Sequence, residues 1–311
     1  MPEPRSSAGP PVSPARPSAG LGLAAIGGAA TLWAIAAAVA SDLFDAGVEP
    51  LELVQARAYV ATVGLALLPG AWRRPRGRSH VLGTALLGLS IALVNATYYL
   101  AIDHLAVAVA IVLQYTAPAL VVLWTALTLR RAPTRDVGLA VMGALIGVVL
   151  VSGLLTQGMG GVDAFGIAMG MGAAVMFATY TLVSERVGED YGVMGALLRG
   201  FTWASVAWLV FQIPRGFPDA LIEGSNLPGV LFVGIGGTIV PFLLFLWGVQ
   251  RVRAERAAIA ATLEPVVAAA VAWMWLGQAL TETQLLGGAL VIVAVASLQI
   301  GRRPVVLAPE P

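Results

Sequence analysis

Runs of about twenty apolar residues follow one another from Leu21 to Gln299, with only short polar interruptions. A helix rises 1.5 Å per residue, so about 20 apolar residues cross the ~30 Å hydrocarbon core of a bilayer. Ten segments pass that test: Leu21–Ala40, Leu51–Leu68, Val81–Ile102, Leu105–Leu129, Val137–Leu155, Ala164–Ser184, Gly192–Ile213, Pro228–Val249, Ala254–Leu276 and Thr283–Gln299. None alternates strictly between apolar and polar residues, so they read as helices and not as barrel strands. The expectation is an all-α membrane protein of ten transmembrane helices. Charged residues make up 11% of the chain, against about 25% in soluble domains. So few charges cannot cover a surface that faces water on all sides.

Residues 1–20 hold six prolines among Ser, Ala and Gly, a composition that forms no packed core and reads as a disordered tail. Residues 301–311 read as a second tail. The first apolar run ends in Ala38-Val39-Ala40, which resembles a signal-peptidase site. The run is longer than the ~7–15 apolar residues of a signal peptide, so it is expected to stay as the first span.

All eighteen basic residues are Arg. With the N-terminus placed in the cytoplasm, fifteen of them fall in cytoplasmic segments and only Arg215 in an outer one. Arg57 and Arg199 lie within spans. That bias follows the positive-inside rule and predicts both termini in the cytoplasm, in a cell membrane. Net charge is only +1 and Cys is absent. Nothing points to nucleic acid, a thiolate metal site or a cofactor. His80 and His104 fall in different loops with no second ligand nearby.

The two halves align. Gly28-Ala29-Ala30-Thr31-Leu32-Trp33-Ala34 matches Gly172-Ala173-Ala174-Val175-Met176-Phe177-Ala178, and Arg57 matches Arg199. From the third span the offset is 147, with Tyr98 on Phe245, His104 on Arg251, Pro118 on Pro265 and Thr134 on Thr281. Five spans per half force the second copy upside down. Residues 21–155 and 164–300 are then two inverted five-helix repeats, the plan of many secondary transporters, with a solute site near the midplane.

Ten spans in a five-plus-five repeat resemble the drug/metabolite transporter superfamily, in its EamA-type branch. The resemblance rests on the Gly/Ala-rich first span of each half ending in an aromatic (Trp33, Phe177), the Arg of the second span and the Pro midway along the fourth. It also rests on Tyr98-Tyr99-Leu100-Ala101-Ile102-Asp103-His104-Leu105 before an Ala/Val run. It covers about residues 21–300 and implies export of amino acids, metabolites or drugs. Many relatives carry Gly-Glu after the fourth and ninth spans, where this sequence has Arg130-Arg131 and Gly277-Gln278.

A charge inside a bilayer costs about 2.5–3.5 kcal/mol on insertion scales, so each is a candidate for function. Glu264 lies near the middle of the ninth span, among Ala257, Ala260, Ala261 and Ala268, where small side chains admit a neighbouring helix or a solute. Pro118 and Pro265 are expected to kink their helices, and Pro265 frees a backbone carbonyl in the preceding turn. A carboxylate there can bind a substrate amine, carry a coupling proton, or simply bond a neighbouring helix. Arg57 and Arg199 read chiefly as ties to backbone carbonyls or as side chains that snorkel to the interface, with pairing to substrate or gate carboxylates as the alternative. Asn95, Tyr98, Tyr99 and Ile102 share one face of the third span, and Gln114 and Tyr115 precede Pro118 in the fourth. With Trp33, Tyr180 and Trp247, which the resemblance puts around a central cavity, they form a candidate chamber for a zwitterionic or amphipathic solute. Ordinary helix packing and interfacial anchoring are the competing roles.

No Walker motif is present. The predicted function is a secondary transporter that moves a small metabolite, amino-acid-like or drug-like, outward by alternating access. It would be coupled to a proton or another gradient, or work by exchange. Its partners are the solute and membrane lipid. A channel or a non-transporting membrane partner protein is the second reading. An intramembrane enzyme would need a cluster such as Asp-x-x-Asp or Gly-x-Ser-x-Gly, which no span contains. Gly138, Gly143, Gly147, Gly287 and Gly288 can pack helices within a protomer or across a homodimer.

Overall fold

The computed structural model describes residues 19–75, 81–104, 107–130, 132–152, 155, 163–215, 221–276 and 281–300. Most of the expected tail at 1–20, all of that at 301–311, and His80 lie outside them. Among the described residues there is no strand. The helices are α1 (Ala19–Asp45), α2 (Pro50–Ala66), α3 (Val81–His104), α4 (Val107–Gln114), α5 (Ala117–Leu129), α6 (Arg135–Val151), α7 (Ala164–Gln212), α8 (Leu227–Gly234), α9 (Val240–Val252), α10 (Ala254–Ala261), α11 (Leu263–Leu276) and α12 (Glu282–Ile300). Among the described residues, five helical stretches are long and apolar enough to cross a membrane: Ala19–Phe44, Val81–Ala101, Ala110–Thr128, Ala164–Gln212 and Leu227–Val252. The chain is a multi-pass membrane protein.

Helix α7 departs from the sequence expectation of a loop between Ser184 and Gly192. Helical structure continues through that stretch, giving 49 residues. At 1.5 Å per residue, a straight helix of that length would be about 74 Å long, more than twice the ~30 Å of the hydrocarbon core. The break comes at one residue. Gly192 has φ 71° and ψ 169°, and no neighbouring atom would meet a Cβ there. Glycine is needed for the backbone angle alone.

Proline sets three further interruptions. Pro118 lies in the first turn of α5, after a turn at Tyr115-Thr116. Pro265 lies in the first turn of α11, after Thr262. Pro241 opens α9, after a π-helical turn at Ile235–Ile239. The sequence reading anticipated kinks at Pro118 and Pro265. In the structure each goes further and divides a helix in two.

Small residues bring the helices together. A Cβ on Gly147 would lie 2.9 Å from the Gly287 carbonyl oxygen, and one on Gly287 would lie 2.8 Å from that of Gly147. These glycines therefore join α6 to α12 within one protomer. Helix α10 is enclosed, with Ala257, Ala258, Ile259, Ala260 and Ala261 all buried. One apolar core runs through most of the helices. Many large apolar side chains, such as Leu82, Leu139, Leu209 and Leu286, point outward, as a lipid-facing surface requires.

Candidate functional site

The helix breaks decide where polar atoms are available inside this apolar bundle. Pro241 has no N–H, so the Gly237 carbonyl four residues earlier loses its helical donor. Arg57 of α2 supplies one instead. Its Nη2 donates to Gly237 O at 2.8 Å, its Nε to Thr238 Oγ1 at 2.8 Å and its Nη1 to Asn95 Oδ1 at 3.0 Å. Asn95 Nδ2 in turn donates to Ile91 O at 3.0 Å. Arg57 thereby ties α2 to α3 and to the π-helical turn. The residue also lines the cavity described next.

The other two breaks meet each other. The Tyr115 hydroxyl, at the end of α4, donates to Glu264 Oε2 at 2.6 Å. Glu264 sits in the first turn of α11, where the partial positive charge of a helix N-terminus favours a carboxylate. With the 147 offset of the repeat, Tyr115 aligns with Thr262 and Ala117 with Glu264. The contact therefore joins nearly equivalent points of the two halves.

Around these groups lies a cavity of about 90 Å³. Its walls include Trp33, Ala36 and Ala37 of α1, Arg57 of α2, and Val94, Asn95, Tyr98 and Tyr99 of α3. Gln114, Phe177, Tyr180, Val233, Phe242 and Glu264 complete it. Trp33 meets Phe242 edge-on with centroids 5.5 Å apart, and Tyr180 packs 5.5 Å from both Phe242 and Phe245. Phe201 backs Phe242 at 5.1 Å. The result is a mostly apolar, aromatic chamber with one cation, one anion and a few neutral polar groups, the usual make-up of a small-molecule site.

Seven of the nine residues singled out as substrate contacts therefore share one wall: Glu264, Trp33, Asn95, Tyr98, Tyr99, Gln114 and Tyr180. Tyr115 stands behind it, bonded to Glu264. Trp247 does not line the cavity. Its ring is covered by the Arg251 guanidinium 3.3 Å from the centroid, and its carbonyl accepts from Arg251 Nη1. That cation–π stack satisfies the aromatic face. Arg199 also lies away from the cavity. It donates to the carbonyls of Gly195 and Arg73 and sits 4.3 Å over the Tyr191 ring. The two arginines of the repeat thus have different surroundings. His104 Nδ1 lies 2.8 Å from Asp163.

The profile of the EamA-like transporter family matches residues 20–153 and again 164–299. The chain belongs to the EamA-like transporter family. Two copies of the family unit account for nearly all the described helices of this EamA-like chain. The threonine/homoserine exporter RhtA of Salmonella typhimurium is 28% identical over 75% of the chain and 77% of its own length. A transporter of Archaeoglobus fulgidus is 31% identical, over 68% of the chain and 74% of its own length. RhtA of Escherichia coli is 27% identical over 73% of the chain and 74% of its own length. A solved crystal structure shares the fold, with a TM-score of 0.68 at 19% identity, covering 91% of this chain and 98% of the other.

Some lining residues of this EamA-like transporter escaped the sequence reading. Ala36 and Ala37 lie three and four positions after Trp33, a helical spacing that would have found them. Phe242 follows Pro241, and Val233 precedes the π-helical turn. No polarity marked either one.

Proposed function

We propose that this EamA-like transporter exports a small zwitterionic metabolite, of the amino-acid type, by alternating access across the cytoplasmic membrane. One observation carries the reading. Arg57 and Glu264 line the same cavity, and neither forms an ion pair within 4 Å with any described residue. Arg57 uses three of its five N–H groups on neutral acceptors, which leaves two for a carboxylate. Glu264 keeps Oε1 for an ammonium group. A cavity of about 90 Å³ suits a metabolite and not a drug-sized solute, whose sites run to ~300–1,000 Å³. The relatives named exporters of threonine and homoserine fit the same chemistry.

In this reading residues 21–155 and 164–300 are inverted five-helix repeats with ten crossings and cytoplasmic termini. Helices α4/α5 and α10/α11 are each one interrupted span, and α7 supplies two spans about Gly192. The cavity draws on the halves of α1 and α3 that the arginine bias assigns to the outer side, and on Glu264 near the midplane. Phe201 and Phe245 fall on the arginine-rich side, and close the chamber toward the cytoplasm. Exchange of the two repeats' conformations then opens the aromatic floor and closes the outer mouth.

Counterflow in proteoliposomes tests the proposal, with radiolabelled threonine as the probe and unlabelled amino acids inside. The expected result is saturable uptake, stimulated by internal amino acid and lost on Glu264→Gln. Non-saturable flux, or uptake of carboxylic acids lacking the amine as readily as amino acids, would overturn it.

A further inference from the structure

Several polar atoms of the cavity already have partners. Asn95 is held by Arg57 and Ile91, and Glu264 Oε2 by Tyr115. Two lining residues carry polar atoms that are fully buried as well as unpartnered. The Tyr180 hydroxyl and Gln114 Oε1 are buried atoms with no hydrogen-bond partner. Tyr180 is 1% exposed and packed among Phe177, Phe242 and Phe245. A phenylalanine would fill that place without stranding a hydroxyl. Buried polar groups are nearly always paired, and an orphan weakens the fold unless something else satisfies it.

We infer that Tyr180 and Gln114 are specificity-determining residues, which select a solute whose side chain carries a hydroxyl or amide over an apolar side chain of the same size. The inference rests on the zwitterion reading above. Arg57 and Glu264 account for the carboxylate and the amine common to all amino acids. What is both buried and unpartnered at the cavity wall is one O–H and one amide end; the Tyr98 and Tyr99 hydroxyls line it too, but are not fully buried. Tyr180 offers a donor or an acceptor. Gln114 offers an acceptor as oriented here, or a donor if the amide is turned over. Both atoms are buried in the cavity wall, so leaving them unpaired costs more than it would at a wet site. An apolar solute would leave both unpaired, and sites built this way reject solutes that lack the bonding group.

Threonine and valine differ by one hydroxyl in place of a methyl, and homoserine and norvaline by the same change at the chain end. Competition by each against labelled threonine counterflow gives the preference directly. Wild type is expected to prefer the hydroxylated member of at least one pair by about tenfold or more, the worth of one well-made hydrogen bond. Tyr180→Phe and Gln114→Met preserve shape, and each is expected to weaken threonine while improving valine, moving the ratio toward one. A wild-type ratio near one in both pairs overturns the inference even where a variant fails to assemble. So does a ratio unchanged in a double variant that still transports. Absence of transport for every amino acid would instead remove the zwitterion reading on which this rests.

Discussion

The hydroxyl of Tyr115 and the carboxylate of Glu264 meet at 2.6 Å although 149 residues separate them in the chain. Each lies at a break in a helix that contains a proline just beyond it. The bond therefore links two of the places where the helices are interrupted, and it holds the Glu264 carboxylate that lines the cavity. Movement of either half-helix has to be felt at Glu264.

Removing that bond should impair transport less than removing the charge. Tyr115→Phe is expected to reduce transport about tenfold, since a hydrogen bond to a charged group contributes ~1.5–3 kcal/mol. Glu264→Gln is expected to reduce it at least tenfold further. Both variants should be recovered from membranes in wild-type amounts. Equal activity of Tyr115→Phe and wild type in counterflow would deny the bond any part in transport.

Arg57 combines cavity lining with a structural tie, and lysine separates the two. Arg57→Lys keeps the charge but loses the fork that reaches Gly237, Thr238 and Asn95 together. At roughly 1 kcal/mol per lost hydrogen bond, a loss of about 2 kcal/mol is expected. A thermal-unfolding assay in detergent reads this directly. An undisturbed midpoint would show that the π-helical turn needs no such tie.

Backbone angles give a third test. Gly192 and Arg253 both have positive φ, 71° and 74°. Gly192→Ala meets no neighbouring atom, so its expected destabilisation of about 1 kcal/mol or more is purely conformational. At Arg253 the order reverses: the glycine variant should be more stable than the alanine variant by about 1 kcal/mol. Comparing Gly with Ala cancels the loss of the Glu185 contact, which lies 3.6 Å from Arg253 Nε. Alanine equalling glycine at either position would contradict the assigned angles.

The junction of α6 with α12 tolerates no side chain at its tightest point. Gly287→Val would drive methyl groups into the Gly147 carbonyl and the Val151 backbone, where a Cβ would already lie 2.8 and 2.5 Å away. Overpacking of this kind costs about 1–3 kcal/mol or more, so a sharp fall in folded yield is expected. Gly138→Ala, on the same helix as Gly147 but facing open space, should be neutral. Size-exclusion profiles of the two variants check the contrast.

The sequence made the helices legible because lipid demands long apolar runs, and it marked Pro118 and Pro265 because proline lacks an N–H. It singled out Glu264 for the cost of a midplane charge, and Asn95, Tyr98 and Tyr99 for their shared helical face. Nothing in the chain announces that Arg251, one turn on, lies over the Trp247 ring. The sequence reading expected a loop before Gly192, because the polar residues from Glu185 to Tyr191 resemble a linker. Those residues are helical here, and the single glycine makes the turn.

Taken by itself, the sequence determined the solvent this protein lives in, the helical class that solvent permits, and the doubling of its units. Those follow from local quantities, namely hydropathy, spacing and proline. Tertiary structure alone decided that Arg57 enters the cavity while Arg199 stays outside it, and that Tyr115 reaches Glu264. Repeat-related residues begin with the same local chemistry. Their roles part because each meets different neighbours once the helices pack, and no local rule carries that information.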